Sequence, residues 1–337
     1  HVLQRMAPPA TVAPVVKADA YGLGMMAVSG RLYEEGCRHF FVAFLQEGVA
    51  LRRVCPHAHI YVLAGVMAGE EALFLAHGLT PILGDFETLA RWKTHAPGMA
   101  CGIHVDTGMA RTGFEVSDLL AEIVQLQELE IAFLMSHYAS ADDSDSVQTH
   151  QQYEQFQRVR EAFPEVKTCL ANSYGMFLEN PYQGDFVRPG LALYGMISPD
   201  LCDRVGLRCA ARLQAKVVQV RTIEEGQSVG YGATWTASRR TRLATLGVGY
   251  ADGILRSLSN RGIVWFEGAP APMVGRVSMD FITVDVTDLP EDVVQAGSWA
   301  DLFHDSYSLD IQAQAGDTIA YELLARLGAR YQKTYEE

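Results

Sequence analysis

With 337 residues the chain is long enough for one large barrel with an addition, or for two domains, and its core needs no disulfide staples. A formal net charge of −13 without any basic stripe argues against nucleic acid and anionic membrane surfaces as partners. No apolar run approaches the roughly 20 residues of a membrane span, and the six cysteines form neither a CxxC pair nor a zinc-like Cys/His cluster.

The opening HVLQRMAPPA holds no signal-like segment, so a cytoplasmic setting is the default expectation. Short apolar runs then alternate with helical stretches over the first 200 residues. Strands are expected at TVAPVVK (11–17), HFFVAF (39–44), HIYVLA (59–64), LTPIL (79–83), CGIHVD (101–106), IAFLMSH (131–137), KTCLAN (167–172) and DFVRPG (185–190). Helices are expected between most of them, as in DLLAEIVQLQEL (118–129) and THQQYEQFQRVREAF (149–163). Eight strands with helical crossovers point to a (β/α)8 barrel, with an open α/β sheet as the alternative on pattern alone. From about residue 207 the pattern changes to strand-like runs joined by Gly, Pro and Asp turns, with no comparable helix before TIAYELLARLGARY (318–331). The expected domains are therefore a barrel over 1–204 and a mostly β domain over 205–337.

In a barrel of this kind, chemistry gathers at the C-terminal ends of the strands. Lys17 ends the first strand, His137 the sixth and Arg188 the eighth. Arg111 follows the fifth, and Asn172 and Ser173 follow the seventh. Each has an ordinary reading by itself: a snorkelling lysine, a satisfied core histidine, an arginine paired to a local carboxylate. Their shared placement changes the weights. A lysine beside a phosphate pocket suits a cofactor bound through a Schiff base. The hydroxyl of Ser173 and the backbone N–H groups of Gly190 and Leu191 can line such a pocket, and Tyr21 can reach it from the other side.

Eight segments carry a resemblance in register through nearly the whole chain: VVKADAYGLG, HVDTGMARTGF, SHYASADD, ANSYG, VRPGLALYG, VGYGATWTA, GVGYADG and VGRVSMDFITVD. Together they resemble the fold-type III, pyridoxal-phosphate-dependent alanine racemases. The resemblance implies a (β/α)8 barrel followed by a β domain, a head-to-tail homodimer with shared active sites, and pyridoxal 5′-phosphate as cofactor. It implies interconversion of L- and D-alanine, with D-alanine serving peptidoglycan. Lys17 then resembles the lysine that carries the cofactor and acts as one base. Tyr231 resembles the second base, supplied by the partner's β domain. Arg188 resembles the arginine on the pyridine nitrogen, supported by His137. Tyr21, Asn172, Ser173, Gly190 and Leu191 fall in the cofactor cradle. Arg111 and the backbone at Met279 resemble the substrate-carboxylate contacts, and Tyr250 and Asp280 resemble wall and entrance residues.

Two positions depart from the family pattern. Several relatives place a carbamylated lysine just before VDTGM, bonded to the arginine that is Arg111 here, and this chain has His104. A neutral imidazole lacks that negative charge, so either a small anion such as chloride or nearby carbonyls orient Arg111. Some relatives also place a phosphate-binding tyrosine where this chain reads LGARY; the match falls on Ala329, with Tyr331 two residues later. The alternatives are a racemase of broader specificity, a decarboxylase of the same fold type, and a non-catalytic cofactor carrier. The long β domain speaks against the last.

Overall fold

The computed structural model describes residues 1–143, 145–178 and 184–336, and they divide into two compact units, His1–Leu193 and Tyr194–Glu337. In the first, eight strands among the described residues run parallel around a barrel: β1 (Thr11–Val12), β2 (His39–Val42), β3 (His59–Val62), β4 (Leu79–Leu83), β5 (Cys101–Asp106), β6 (Ile131–Met135), β7 (Thr168–Cys169) and β8 (Phe186–Val187), and the two-residue strand Phe114–Glu115 adds to β5 outside this path. β2 to β7 form one continuous ladder, and β1 pairs with β8. Backbone contacts join the two pieces. Val15 bridges Phe41, while the N–H groups of Asp185 and Arg188 donate to Thr168 O and Ala171 O. The result is a nearly closed parallel (β/α)8-like barrel rather than an open sheet.

Its interior is filled by rings from different strands. Phe41 lies 4.8 Å from Tyr61, Tyr61 lies 4.8 Å from Phe133, and Phe133 lies 5.8 Å from Phe186, centroid to centroid. Such tilted and edge-on contacts fill a barrel core and leave polar side chains to its ends. β4 and β5 match the expected spans; β2, β3 and β6 each end two residues early, and β1, β7 and β8 are cut to two residues. In the run 11–17, Pro14 has no N–H to donate and interrupts the ladder, although Val16 N still reaches Phe41 O at 2.9 Å. In 167–172, the Asp185 carboxylate takes the Thr168 N–H (2.7 Å), so a side chain replaces a strand partner. In 185–190, Pro189 likewise has no N–H, and regular pairing stops at Val187. The helix expected at 118–129 is an α-helix, Val116–Ala121, followed by a 3-10 turn, Ile123–Leu126. That expected at 149–163 is Val147–Ala162, capped by the Ser146 hydroxyl.

The second unit is built on an antiparallel sheet. It contains β9 (Leu213–Ile223), β10 (Ser228–Val229), β11 (Trp235–Thr236), β12 (Thr241–Leu246), β13 (Ile263–Phe266), β14 (Ala269–Pro272), β15 (Ile282–Asp285) and β16 (Trp299–Phe303). Six of these form one sheet in the order β14-β13-β16-β9-β12-β15, and β10 and β11 form a separate hairpin. Glu267 (φ 48°) and Gly268 (φ 84°) make the two-residue turn between β13 and β14, where positive φ at both positions matches the strand twist. The helix Ser306–Ala315 was not anticipated from the sequence. Its inner face carries Gln312 and Ser308 beside Leu309 and Ala313, so polar residues mask the apolar period. No helix among the described residues is long and apolar enough to cross a membrane.

Candidate active site

Lys17 leaves the barrel wall where β1 and β8 meet. Val15 N donates to Pro189 O and Val16 N to Phe41 O, both at 2.9 Å, so the two residues before the lysine are tied to opposite neighbours. The chain then makes a left-handed turn, with φ of 51, 55, 54 and 57° at Ala18, Asp19, Ala20 and Tyr21. None of these is glycine, and each left-handed residue costs about 1–2 kcal/mol. Compensating bonds surround the turn. Ala20 N donates to Val16 O (2.9 Å), Gly22 N to Ala18 O (2.8 Å), and Met25 N to the Asp19 carboxylate (2.7 Å). Strain of this kind concentrates where a side chain must be aimed.

Burial lowers the pKa of Lys17 first, and Arg111 and Arg188 push it the same way, while Glu47 opposes them. A lowered amine pKa leaves more free base at neutral pH. Arg188 is only 4% exposed and none of its hydrogen-bond partners is an anion. It donates to Cys169 O (2.6 Å), Ser136 O (2.7 Å), the Cys169 sulfur (3.1 Å) and His137 Nδ1 (3.1 Å). Burial, then Arg188, Arg111, Lys17 and His104, hold His137 well below its usual range, so the imidazole is neutral. Because its Nδ1 accepts from Arg188, its proton sits on Nε2. The approach of Asn172 Nδ2 to that Nε2 at 3.5 Å is then packing and not a hydrogen bond. Asn172 has structural partners instead, donating to Tyr138 O (3.0 Å) and accepting from Gly175 N (2.9 Å).

Beside the lysine lies a cradle. Ser173 Oγ accepts from Gly190 N (2.9 Å) and Ala192 N (3.2 Å), at the start of the turn that contains buried Leu191. A Cβ on residue 190 would sit 2.1 Å from the Tyr21 hydroxyl, so only glycine lets that ring close over the backbone. Gly190→Ala is therefore expected to weaken pyridoxal phosphate binding by about 10- to 100-fold, the ~1–3 kcal/mol of an overpacked site. Titration of the cofactor-free protein measures this, and adding Tyr21→Phe recovers part of the loss.

Arg111 lies on a loop shaped by Asp106, which accepts from Gly108 N (2.9 Å), Met109 N (2.8 Å) and Arg111 N (3.2 Å). Burial pushes the Asp106 pKa up, but these backbone donors outweigh it and the carboxylate stays ionised. The Arg111 guanidinium has no carboxylate partner among the described residues. His104 is buried and pushed down to about 4, chiefly by burial and then by Arg188, so it carries no charge at neutral pH. Its Nδ1 lies 3.4 Å from the Thr112 hydroxyl.

Tyr231, Tyr250, Met279 and Asp280 belong to the second unit, where three loops gather. Tyr231 opens the turn Tyr231–Ala233 and is 73% exposed. Gly230, just before it, packs near the backbone of Arg276. Tyr250 N and Ala251 N donate to Ser278 O and Met279 O, both at 3.0 Å. Arg330 grips buried Asp252 through two bonds (2.7 and 3.0 Å) and reaches Asp280 at 2.7 Å. At the C-terminal match, the Tyr331 hydroxyl is buried with no hydrogen-bond partner among the described residues.

Sequence reasoning missed Glu47, Asp106, Gln152, Cys169 and Arg330. Gln152 is buried and joins two site loops, donating to His137 O (2.8 Å) and accepting from Ala139 N (2.8 Å) after β6, and reaching Thr107 Oγ1 (3.4 Å) after β5. It had a signal: it lies on the inward stripe Thr149, Gln152, Phe156, Val159, where an apolar residue belongs.

A half-buried lysine among arginines, next to a glycine-floored cradle at a barrel mouth, defines a barrel enzyme built to carry an anionic aldehyde such as pyridoxal phosphate. The donor set fits that group, since the cations present outnumber the carboxylates facing them. Family models agree in both units: "Alanine racemase, N-terminal domain" matches residues 1–198 and "Alanine racemase, C-terminal domain" matches 210–335. The catabolic alanine racemase of Agrobacterium fabrum is 44% identical over 99% of this chain and 88% of its own length. Among solved structures, the alanine racemase of Bartonella henselae with covalently bound pyridoxal phosphate has a TM-score of 0.93 at 36% identity, covering 99% of this chain and 95% of that one. The biosynthetic alanine racemase of Pseudomonas aeruginosa has a TM-score of 0.92 at 33% identity, covering 100% and 95%. The chain belongs to the alanine racemase family.

Proposed function

We propose that this chain interconverts L- and D-alanine with two proton carriers, Lys17 on one face of the bound amino acid and Tyr231 of a second copy on the other. Pyridoxal phosphate, when bound, delocalises the electron pair left at Cα after its proton departs. Ser173, Gly190, Leu191 and Tyr21 would hold its phosphate, with Asn172 keeping the loop in place. Arg188, surrounded by carbonyls, a thiol and a neutral imidazole, would meet the cofactor ring and oppose a second positive charge there. His137 supports it by accepting one of its N–H bonds. Arg111 and the Met279 backbone take the substrate carboxylate, and Tyr250 and Asp280 line the way in.

The observation that carries this reading is the placing of Lys17 between burial and two arginines, which lowers the pKa of the amine where a base is needed. The homodimer with shared sites is supported by the exposure of Tyr231, Tyr250 and Met279 on the second unit. Six free cysteines support a reducing, cytoplasmic setting. The relatives include racemases named catabolic and one named biosynthetic. D-Alanine supply for peptidoglycan and alanine breakdown therefore both agree with the same chemistry.

Incubation with L-alanine in deuterated water tests the reaction. D-Alanine is expected to appear with deuterium at Cα, whereas carbon dioxide release without D-alanine would make the enzyme a decarboxylase. Rates across alanine, serine, lysine and arginine then measure breadth.

A further inference from the structure

Glu47 does more than cap its helix. It occupies the third position of the helix Leu45–Arg52, and its Oε2 accepts from Ala43 N (2.7 Å) and Phe44 N (3.2 Å), as a capping glutamate does. Its Oε1 leaves the helix altogether. It accepts from Ala18 N at 2.7 Å, 29 residues upstream, the first peptide after Lys17. Helix capping requires no such bond.

We propose that Glu47 is a positioning residue for Lys17: its carboxylate fixes the peptide that follows the lysine and sets one negative charge against the two arginines of the site. Ala18 is the first of the four left-handed residues, so a charge-assisted bond to its N–H holds the turn at its origin. The groups acting on the amine come from several elements: Arg111 from the loop after β5, Arg188 from the end of β8, and Glu47 from the helix after β2. His137, after β6, is neutral, and Tyr21, on the lysine's own turn, is pushed up to about 12 by burial and is neutral too. Glu47 alone among these opposes the fall of the Lys17 pKa. It thereby limits how far the amine is stripped of its proton, while the Ala18 bond aims it.

The inference rests on Lys17 being the cofactor-bearing base, and three variants of the full-length protein test it. Glu47→Gln keeps an oxygen for the Ala18 N–H and removes the charge. Glu47→Asp keeps the charge but shortens the reach by one methylene. Glu47→Ala removes both. In the cofactor-free chain, acetylation of Lys17 by acetic anhydride is followed against pH by peptide mass spectrometry. The labelling midpoint is expected to move to lower pH in Glu47→Gln and to stay close to wild type in Glu47→Asp. In the loaded enzyme, Glu47→Ala is expected to lose about 10- to 100-fold in kcat, the scale of a misplaced catalytic group, with a smaller change in KM. A labelling midpoint equal in all four proteins overturns the proposal. So does a Glu47→Ala defect that merely follows a fall in Tm with an unshifted pH profile. The labelling reads the Lys17 amine directly, so it stands apart from the question of whether that amine carries the cofactor.

Discussion

Lys17→Ala is expected to abolish covalent retention of pyridoxal phosphate and to lower racemisation by at least about 10⁴-fold, since on the proposed roles one substitution removes both the attachment point and a general base. The barrel itself should survive. Lys17 is only half-buried, and the hydrogen bonds that hold its surroundings come from the backbone of Val15, Val16 and Ala20. Borohydride reduction followed by peptide mapping gives the decisive reading. In the wild type the cofactor mass should be fixed on the peptide containing Lys17, and in the variant no lysine should carry it. A lysine-linked chromophore that persists in Lys17→Ala sinks the assignment. Added small amines provide a control on folding, because an intact pocket with a missing amine should regain part of its turnover. Alanine buried at residue 188 would behave differently. It would leave Cys169 O and Sγ on β7, and Ser136 O and His137 Nδ1 just after β6, without their donor, so its loss would mix stability with chemistry.

How much of this was legible in the sequence depends on where each residue's partners lie. Lys17, His137 and Arg188 announced themselves because polar residues closing buried apolar runs are rare and fall at the ends where a barrel gathers chemistry. β5 matched its expected span because no proline or intercepting side chain cuts its run, and β4 kept its span with Pro81 inside it, paired with Val62. The left-handed turn after Lys17 was hidden, because KADAY contains no glycine at the four positive-φ positions and local propensity gives no hint of it. Glu47 was hidden for another reason. LQEGVALR reads as an ordinary capped helix, and the bond to Ala18 exists only once β1 and β2 are neighbours. Arg330 likewise gains its meaning from Asp252 and Asp280, 78 and 50 residues away. Residues whose role is to hold other residues are set by tertiary contact, which single-sequence patterns do not carry. The racemase resemblance supplied candidate residues in the second unit that no strand pattern singled out, Tyr231 above all.

Tyr231→Phe is expected to reduce racemisation by about 10²–10⁴-fold, yet one alanine enantiomer should still exchange its Cα proton with solvent, because Lys17 remains on one face. Inverting a centre without turning the substrate needs a proton carrier on each face. An ordinary tyrosine, with a pKa near 10, is a weak base at neutral pH, so its surroundings have to favour the phenolate. On its own unit Tyr231 is exposed to solvent, beside a turn whose Gly232 faces the Arg276 guanidinium. If the surroundings that complete the site come from a second copy, two inactive chains can repair each other. Lys17→Ala and Tyr231→Phe homodimers each carry a defect in both sites. A hybrid of the two gathers both defects in one site and leaves the other with an intact lysine and an intact tyrosine. Equal mixing with free exchange makes half the dimers hybrids, each with one working site, so activity should return to about one quarter of wild type. No recovery, with subunit exchange confirmed by differently tagged chains, would place Tyr231 in the site of its own chain or outside the reaction. Recovery well above a quarter would mean instead that one variant is not truly inactive, which the separate homodimers reveal before mixing. A chain that stays monomeric has no route to recovery at all, so the same mixture also reads whether a second copy is required for the chemistry.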